Sequence, residues 1–350
     1  MWLSQLRNLI RSPRRTRRPA PKLHRRGRLL LEQLEDRSLP STYYAATVSD
    51  LIADINAANQ AGGSNTVLLA ANTTFDLAAA NNGTNGGNGL PVIAANNNLA
   101  ILGQGGDVIQ RDDFSDYDFR LFDVAGGASL TLTDLILQNG YVSGAFGNTT
   151  ADGGAIYNQG TVVLNAVTVQ NNVVHGGFYD PSPAGGGIWS TGALTLENGT
   201  VVQGNRVAGD GGSGYPSGRG RDAFGGGLYI AGGTAYLTGA AVTNNSAVGG
   251  DGAEEGCGDF CFYPTAHGGD GFGGGLYAAG GATVILCGDT VESNAASGGT
   301  GTKNGNGYGG GLFIANKATV YLDSITLANV INNTADKFAN IDGSYILQNC

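Results

Sequence analysis

The sequence predicts an all-β chain wound as a single-stranded parallel β-helix with a short N-terminal capping helix. A glycine box returns five times, a triplet of apolar positions keeps step with it, and an Asn closes each unit. The boxes read Gly153-Gly154-Ala155-Ile156-Tyr157, Gly185-Gly186-Gly187-Ile188-Trp189 and Gly225-Gly226-Gly227-Leu228-Tyr229, then Gly273-Gly274-Gly275-Leu276-Tyr277 and Gly309-Gly310-Gly311-Leu312-Phe313. Repetition at about 20–50 residues marks a solenoid, whose units bury their apolar faces only by stacking on one another.

The triplets are anchored on Leu132, Leu164, Leu196, Leu237, Leu286 and Leu322. Two positions earlier stand Leu130, Val162, Leu194, Ala235, Val284 and Val320; five positions later stand Leu137, Val169, Val201, Val242, Val291 and Leu327. All are apolar in a chain that is 41% hydrophobic. Apolar spacing of two is strand periodicity, with those side chains on one face. The small or polar residues between the second and third positions suit a sharp bend between two short strands. Asn139, Asn171, Asn205, Asn244, Asn294 and Asn329 close the units. An Asn at each corner can stack into an amide ladder and can adopt left-handed backbone angles. The first unit has Phe119-Arg120-Leu121-Phe122 where the others have a box, which makes six coils.

Composition agrees. Gly is 61 of 350 residues without a G-X-Y period, which excludes collagen. Charged residues are only 13%, and no apolar run is long enough for a transmembrane helix. Residues 1–40 hold eleven basic and three acidic residues, net +8, and the remainder holds eight and twenty-five, net −17. The basic head contains Pro and lacks apolar periodicity, so it reads as disordered. It also lacks interleaved aromatics and is followed by an acidic body, which argues against nucleic acid as partner.

Between head and coils, Asp50 to Gly63 has apolar residues at Leu51, Ile52, Ile55 and Ala58, the helical spacing, with Ser49 or Asp50 as N-cap and Gly62 as stop. Strand-like Thr66–Ala70, Thr74–Leu77 and Leu99–Gly103 follow. Such a helix would plug the open end of the solenoid, which otherwise exposes unpaired edges. The organisation expected is a basic disordered targeting head over 1–41 and a β-helix domain over 42–350, with its cap at 42–103 and coils at about 104–343.

Three resemblances add to this reading. Leu31-Glu32-Gln33-Leu34-Glu35-Asp36-Arg37-Ser38-Leu39-Pro40-Ser41 resembles the LExLEDRxLxS motif near the N-terminus of exported planctomycete-type surface proteins, with Pro40 departing from the usual Leu. It implies export. The cap segment resembles the opening of right-handed β-helix proteins of the pectate-lyase-like superfamily. The boxes resemble the repeat of chlamydial polymorphic outer-membrane proteins, most closely at Gly153-Gly154-Ala155-Ile156. The second box of that repeat has Val or Leu here in place of Phe, and no membrane barrel is expected after the coils. These resemblances cover residues 42–343 at the level of fold and imply a right-handed winding.

Anchor spacing varies because the segments 140–152, 173–184, 206–224, 246–272 and 295–308 vary in length. All leave their coils at one corner, which predicts a loop face, the usual binding side of a solenoid. On it, Tyr179, Tyr215 and Tyr263 are candidates to stack on sugar rings, and Arg219 and Arg221 to pair with uronic-acid carboxylates. Asp112, Asp113, Asp116 and Asp118 are the one dense acidic cluster and weak candidates for calcium. They lie in a single connecting loop with no matching ligands on successive coils. Among the ordered elements of the galacturonan hydrolases only Asp112-Asp113 occurs, and Gly-His-Gly is missing. His175 and His267 read as surface residues, and no box leads into a phosphate loop. Cys257 and Cys261 could form a small disulfide in an exported protein. Cys287 and Cys350 could also pair, with nothing in the sequence to support it.

The reading is therefore a secreted or cell-envelope β-helix without catalytic residues or resident cofactor, calcium apart. It is expected to bind polysaccharide or another surface protein through the loop face. The alternative is a polysaccharide lyase or glycoside hydrolase acting on acidic polysaccharide, which needs an ordered carboxylate and Arg cluster across neighbouring coils.

Overall fold

The structure is a computed structural model that describes residues 40–144, 151–177, 182–212, 218–252 and 266–350. Tyr179, Tyr215, Tyr263, Cys257 and Cys261 lie outside the described residues. The chain is a right-handed parallel β-helix, and every pair of its named strands is parallel.

One coil shows how sequence becomes structure. The box strand Ile188–Ser190 leads through Thr191-Gly192 into Ala193–Glu197. A bend at Asn198-Gly199-Thr200 passes to Val201–Gln203, a corner at Gly204-Asn205 passes to Arg206–Ala208, and a loop returns through Ala223–Phe224 to the next box. Stacked coils thus build a sixteen-stranded anchor sheet, a seven-stranded box sheet, a five-stranded sheet after the corner and a three-stranded sheet before the box.

The expected apolar rows are real. Leu130, Val162, Leu194, Ala235 and Val284 are in register and fully buried, as are the anchors Leu132 to Leu322. The third row needs two corrections. Val169 pairs with buried Val202, not with half-buried Val201, because the Asn198-Gly199-Thr200 bend is one residue longer than that of the coil before. In the last coil a short helix, α2 (Ser324–Ala328), replaces the bend, so Leu327 lies on the helix and Val330 takes the row position opposite Val291.

The corner Asn also differs from expectation, because two jobs fall on two neighbouring residues. Asn139, Asn171, Gly204, Asn244, Ser293 and Asn332 carry the left-handed angle, with φ between 54° and 62°. After five of these corners the next residue, Asn172, Asn205, Asn245, Asn294 and Asn333, points inward and forms the ladder, whereas Gly140 follows Asn139 and its N–H donates to Asn172 Oδ1. Nδ2 of each donates to Oδ1 of the next at 2.9–3.0 Å. Nδ2 of Asn205 also donates to the Val169 carbonyl, and Oδ1 of Asn245 also accepts the Asn205 backbone N–H. Buried amides are tolerable when every donor and acceptor is met in this way. Asn329 is the C-cap of α2 and no member of the ladder.

The ladder explains the glycine box. The first Gly takes a left-handed angle, with φ 65° at Gly225. A Cβ on the second, Gly226, would run into the Gly274 carbonyl of the next coil, and one on the third, Gly227, would lie 2.9 Å from Asn245 Cγ. Ladder and boxes pack together and separate the main core from a smaller one of Val142, Ala151, Val174, Val207, Ala223 and Ala247.

At the N-terminal end, helix α1 (Val48–Ala61) lays Leu51, Ile55 and Ala58 on the core at 0% exposure. Its N-cap is Thr47, not Ser49 or Asp50. Thr47 Oγ1 accepts the Asp50 N–H while Asp50 Oδ2 accepts the Thr47 N–H, a reciprocal capping box, and Gly62 ends the helix as expected. Strands Gly63–Leu69, Thr74–Leu77 and Asn97–Arg111 follow. At the other end, Ile346–Leu347 pairs with Tyr321–Leu322, and Cys287 and Cys350 form a disulfide with Cα atoms 5.9 Å apart. Among the described residues no helix is long and apolar enough to cross a membrane.

Candidate functional site

The three-stranded sheet, where the loops rejoin the coils, carries the candidate site. Ala223 and Gly271 face inward, so Asp222 and Phe224, and likewise Asp270 and Phe272, share the outer face. The next strand continues the two columns with Asn306 and Tyr308. Phe224, Phe272 and Tyr308 stack at 5.2 and 5.1 Å, tilted by 9°. Alongside, the aromatic residues of the boxes form stacks of their own. Tyr157 and Trp189 lie 4.3 Å apart, and Tyr229, Tyr277 and Phe313 follow at 5.0 Å intervals. The two columns meet edge to face, with Phe224 at 5.2 Å from Tyr277 and Phe272 at 5.0 Å from Phe313. Edge-to-face contact suits the ring quadrupoles. Burial in this double column pushes the Tyr229 hydroxyl up to about 12, with Tyr277 adding to it, and raises Tyr277 as well.

The ring faces are therefore largely occupied by other rings, and what the columns offer to solvent is a rail of ring edges. Lys337 lies over Tyr308 at 5.4 Å, and Arg120 over Tyr157 at 4.9 Å. Arg120 is fully buried, bonded through Nη1 to the Asn85 carbonyl and Asn88 Oδ1 and through Nε to the Asp152 carbonyl. Asp123, in register with Tyr157, accepts from Asn85 Nδ2, and burial raises its pKa.

The polar column is tied into the solenoid. Asp222 Oδ1 accepts the Asp270 N–H at 2.7 Å, and Asp270 Oδ1 accepts the Asn306 N–H at 2.7 Å. Arg219 lies 3.0 Å from Asp222 Oδ1 and 3.8 Å from Asp270 Oδ2, with its own side chain half exposed. The structure thus brings Arg219 into a carboxylate cluster across adjacent coils. Arg219 faces the chain's own carboxylates. Arg221 is exposed, its backbone fixed between Asp210 and Gly250.

The loop roots are more ordered than their composition suggests. Gly250 donates to Arg221, Gly269 to Gly250, Gly299 to Gly269, and Gly305 to Gly299, all at 2.8–2.9 Å. A Cβ on Gly250, Gly269 or Gly299 would strike a neighbouring carbonyl, so these segments pack backbone on backbone. The loop glycines form a layer.

The acidic loop does not converge. Asp112 Oδ1 accepts the Phe114 N–H, Asp113 accepts from Asn139, Asp118 accepts from Ser143, and Asp116 is exposed. Arg111 organises the loop by donating to the Ser115 and Tyr117 carbonyls and lies over the Phe119 and Tyr141 rings. Among the described residues no three His, Cys, Asp or Glu side chains are placed to hold a metal ion. His175 and His267 are half-buried, and His175 Nδ1 lies 2.7 Å from the Gly176 carbonyl.

The sequence reading missed the strip formed by Asp222, Asp270 and Asn306 with Phe224, Phe272 and Tyr308. A signal existed, since each aromatic stands one residue before a glycine box and each polar residue two before that. No protein-family model, curated protein or solved structure matches this chain.

Proposed function

We propose that this is an exported, non-catalytic β-helix of the cell surface that binds an extended polysaccharide along the strip beside its loops. The supporting observation is periodicity. Polar and aromatic side chains repeat together on three successive coils, at ring spacings of 5.2 and 5.1 Å. That interval is close to the length of one sugar residue in an extended glycan, so a chain laid along the axis would meet equivalent groups at each step. Sugar hydroxyls would donate to Asp222, Asp270 and Asn306 while the apolar ring faces of the sugars lie on the aromatic rail. The resemblance of residues 31–41 to an export motif supports the location, and that of the cap to pectate-lyase-like proteins supports an extracellular setting.

Charge narrows the ligand. The 310 residues after the head carry net −17, and Arg219 is engaged by Asp222 and Asp270. A neutral or amino-bearing glycan is favoured over a uronic acid polymer, which the body would repel. The enzyme reading rests on the same cluster, since two carboxylates in register across adjacent coils with an Arg is the arrangement it requires. Against it, one oxygen of each carboxylate already accepts a backbone N–H of the next coil.

The test retains the full chain on immobilised neutral, amino-bearing and acidic polysaccharides and scores each for newly formed sugar ends. Retention without new ends, lost in Asp270→Asn and in Tyr308→Ala, is expected. New ends that vanish in Asp270→Asn would establish the enzyme reading instead, and no retention on any glycan would sink the polysaccharide reading.

A further inference from the structure

A basic residue stands on each of the three coils that carry the strip. Arg219, His267 and Lys303 lie five positions before Phe224, Phe272 and Tyr308, and three before Asp222, Asp270 and Asn306. The spacing is kept in register across the coils. His267 pairs with Lys303 through a parallel bridge. The Gly220 N–H donates to the His267 carbonyl just as the Gly268 N–H donates to that of Lys303. The basic residues therefore form a column that steps by the rise of one coil, about 4.8 Å. After the head the chain holds only eight Lys or Arg and two His, and this column takes three of them.

Pairing within the chain accounts for the first coil alone, where Arg219 meets Asp222 and Asp270. In the third coil the acid has given way to Asn306 while the cation remains. Lys303 is exposed and has no carboxylate partner among the described residues. Charge thus changes sign along the strip. Asp222 and Asp270 outweigh Arg219 at one end, and each keeps one oxygen clear of the backbone bond it accepts. Lys303 stands at the other end, where Lys337 over the Tyr308 ring and Asp336 beside Gly307 offset each other.

We propose that the glycan held by this strip carries both amino and anionic groups. Its amines meet Asp222 and Asp270, and an anionic oxygen group, a carboxylate or a sulfate ester, meets Lys303 beside His267. This rests on the polysaccharide reading above and gives its ligand a class. A mixed-charge polymer has little net charge, so the acidic body that repels a uronic acid polymer does not repel it. Opposite charges in a fixed order along the axis also give the bound chain one direction.

The test compares the affinity of the full chain for oligomers of chitosan, O-carboxymethyl chitosan and O-sulfated chitosan at physiological ionic strength. Non-specific attraction to an acidic protein favours plain chitosan, the most cationic of the three. The opposite order is expected, with a modified form held about threefold or more tighter, and the form preferred tells carboxylate from sulfate. Lys303→Glu should abolish or invert that preference. Lys317→Glu makes the same charge change at an exposed turn between Leu312–Ile314 and Thr319–Leu322, away from the strip, and should preserve it. Plain chitosan held as tightly as both modified forms, or a preference that Lys317→Glu shifts as much as Lys303→Glu, overturns this inference and leaves the polysaccharide reading standing. Binding to none of the three overturns it as well, and the wider panel of polysaccharides then decides the broader reading on its own.

Discussion

At the residue scale, the most telling position is the inward Asn of the ladder. Asn245 accepts from Asn205 and donates to Asn294 and to the Val202 carbonyl, so its removal strands partners in two neighbouring coils. Asn245→Ala should lower stability by about 3 kcal/mol or more, seen as an earlier denaturation midpoint. Asn244→Ala at the neighbouring left-handed corner should cost only about 1 kcal/mol, as backbone strain. A second buried polar residue gives a pH dependence. Burial pushes the Asp289 carboxyl up to about 7, although it accepts the Ala240 and Cys287 N–H groups, and Asp323 adds to the rise. A group whose folded pKa lies above its unfolded value contributes its full stability below pH 4 and loses it as pH rises through 7. Thermal melts should therefore weaken between about pH 4 and 7 by up to a few kcal/mol, and Asp289→Asn should flatten that slope. An unchanged slope in the variant would assign the effect elsewhere.

At the element scale, the glycine box and the capping helix carry distinct loads. Gly226→Ala puts a Cβ into the Gly274 carbonyl of the following coil, and the two coils must part to accept it. It should destabilise the fold by several kcal/mol, whereas the same change at Gly239, where the Cβ meets open space, should cost only the strain of a left-handed Ala. Leu51→Asp in α1 should uncover the end of the core and increase aggregation relative to the unchanged chain, measured by light scattering. Element order was legible in the sequence, because the apolar rows must align for the coils to bury them. The exact row member was not, at Val202 and Val330, because a one-residue bulge or a short helix in the bend shifts the register without changing the local pattern. The division of labour between Asn171 and Asn172 was hidden for a similar reason. Both residues are Asn, and only the direction of the side chain tells corner from ladder.

At the scale of the whole molecule, the parallel β-helix places every loop root on one side and sets their spacing by the rise of a coil. The sequence pointed to that side but to other residues. Arg219 is bound by Asp222 and Asp270, and the strip beside it is built from residues that only coil-on-coil stacking brings together. Single-residue motifs do not reveal such a strip, since Asp222 and Asp270 are 48 positions apart in the chain. The binding proposal is therefore a proposal about length. The most direct test measures affinity against a series of oligosaccharides of increasing size from whichever polysaccharide retains the protein. Affinity that climbs with each added sugar until the three coils of Phe224, Phe272 and Tyr308 are spanned, then levels off, is the predicted result. A single sugar that binds as tightly as the longest oligomer would contradict it.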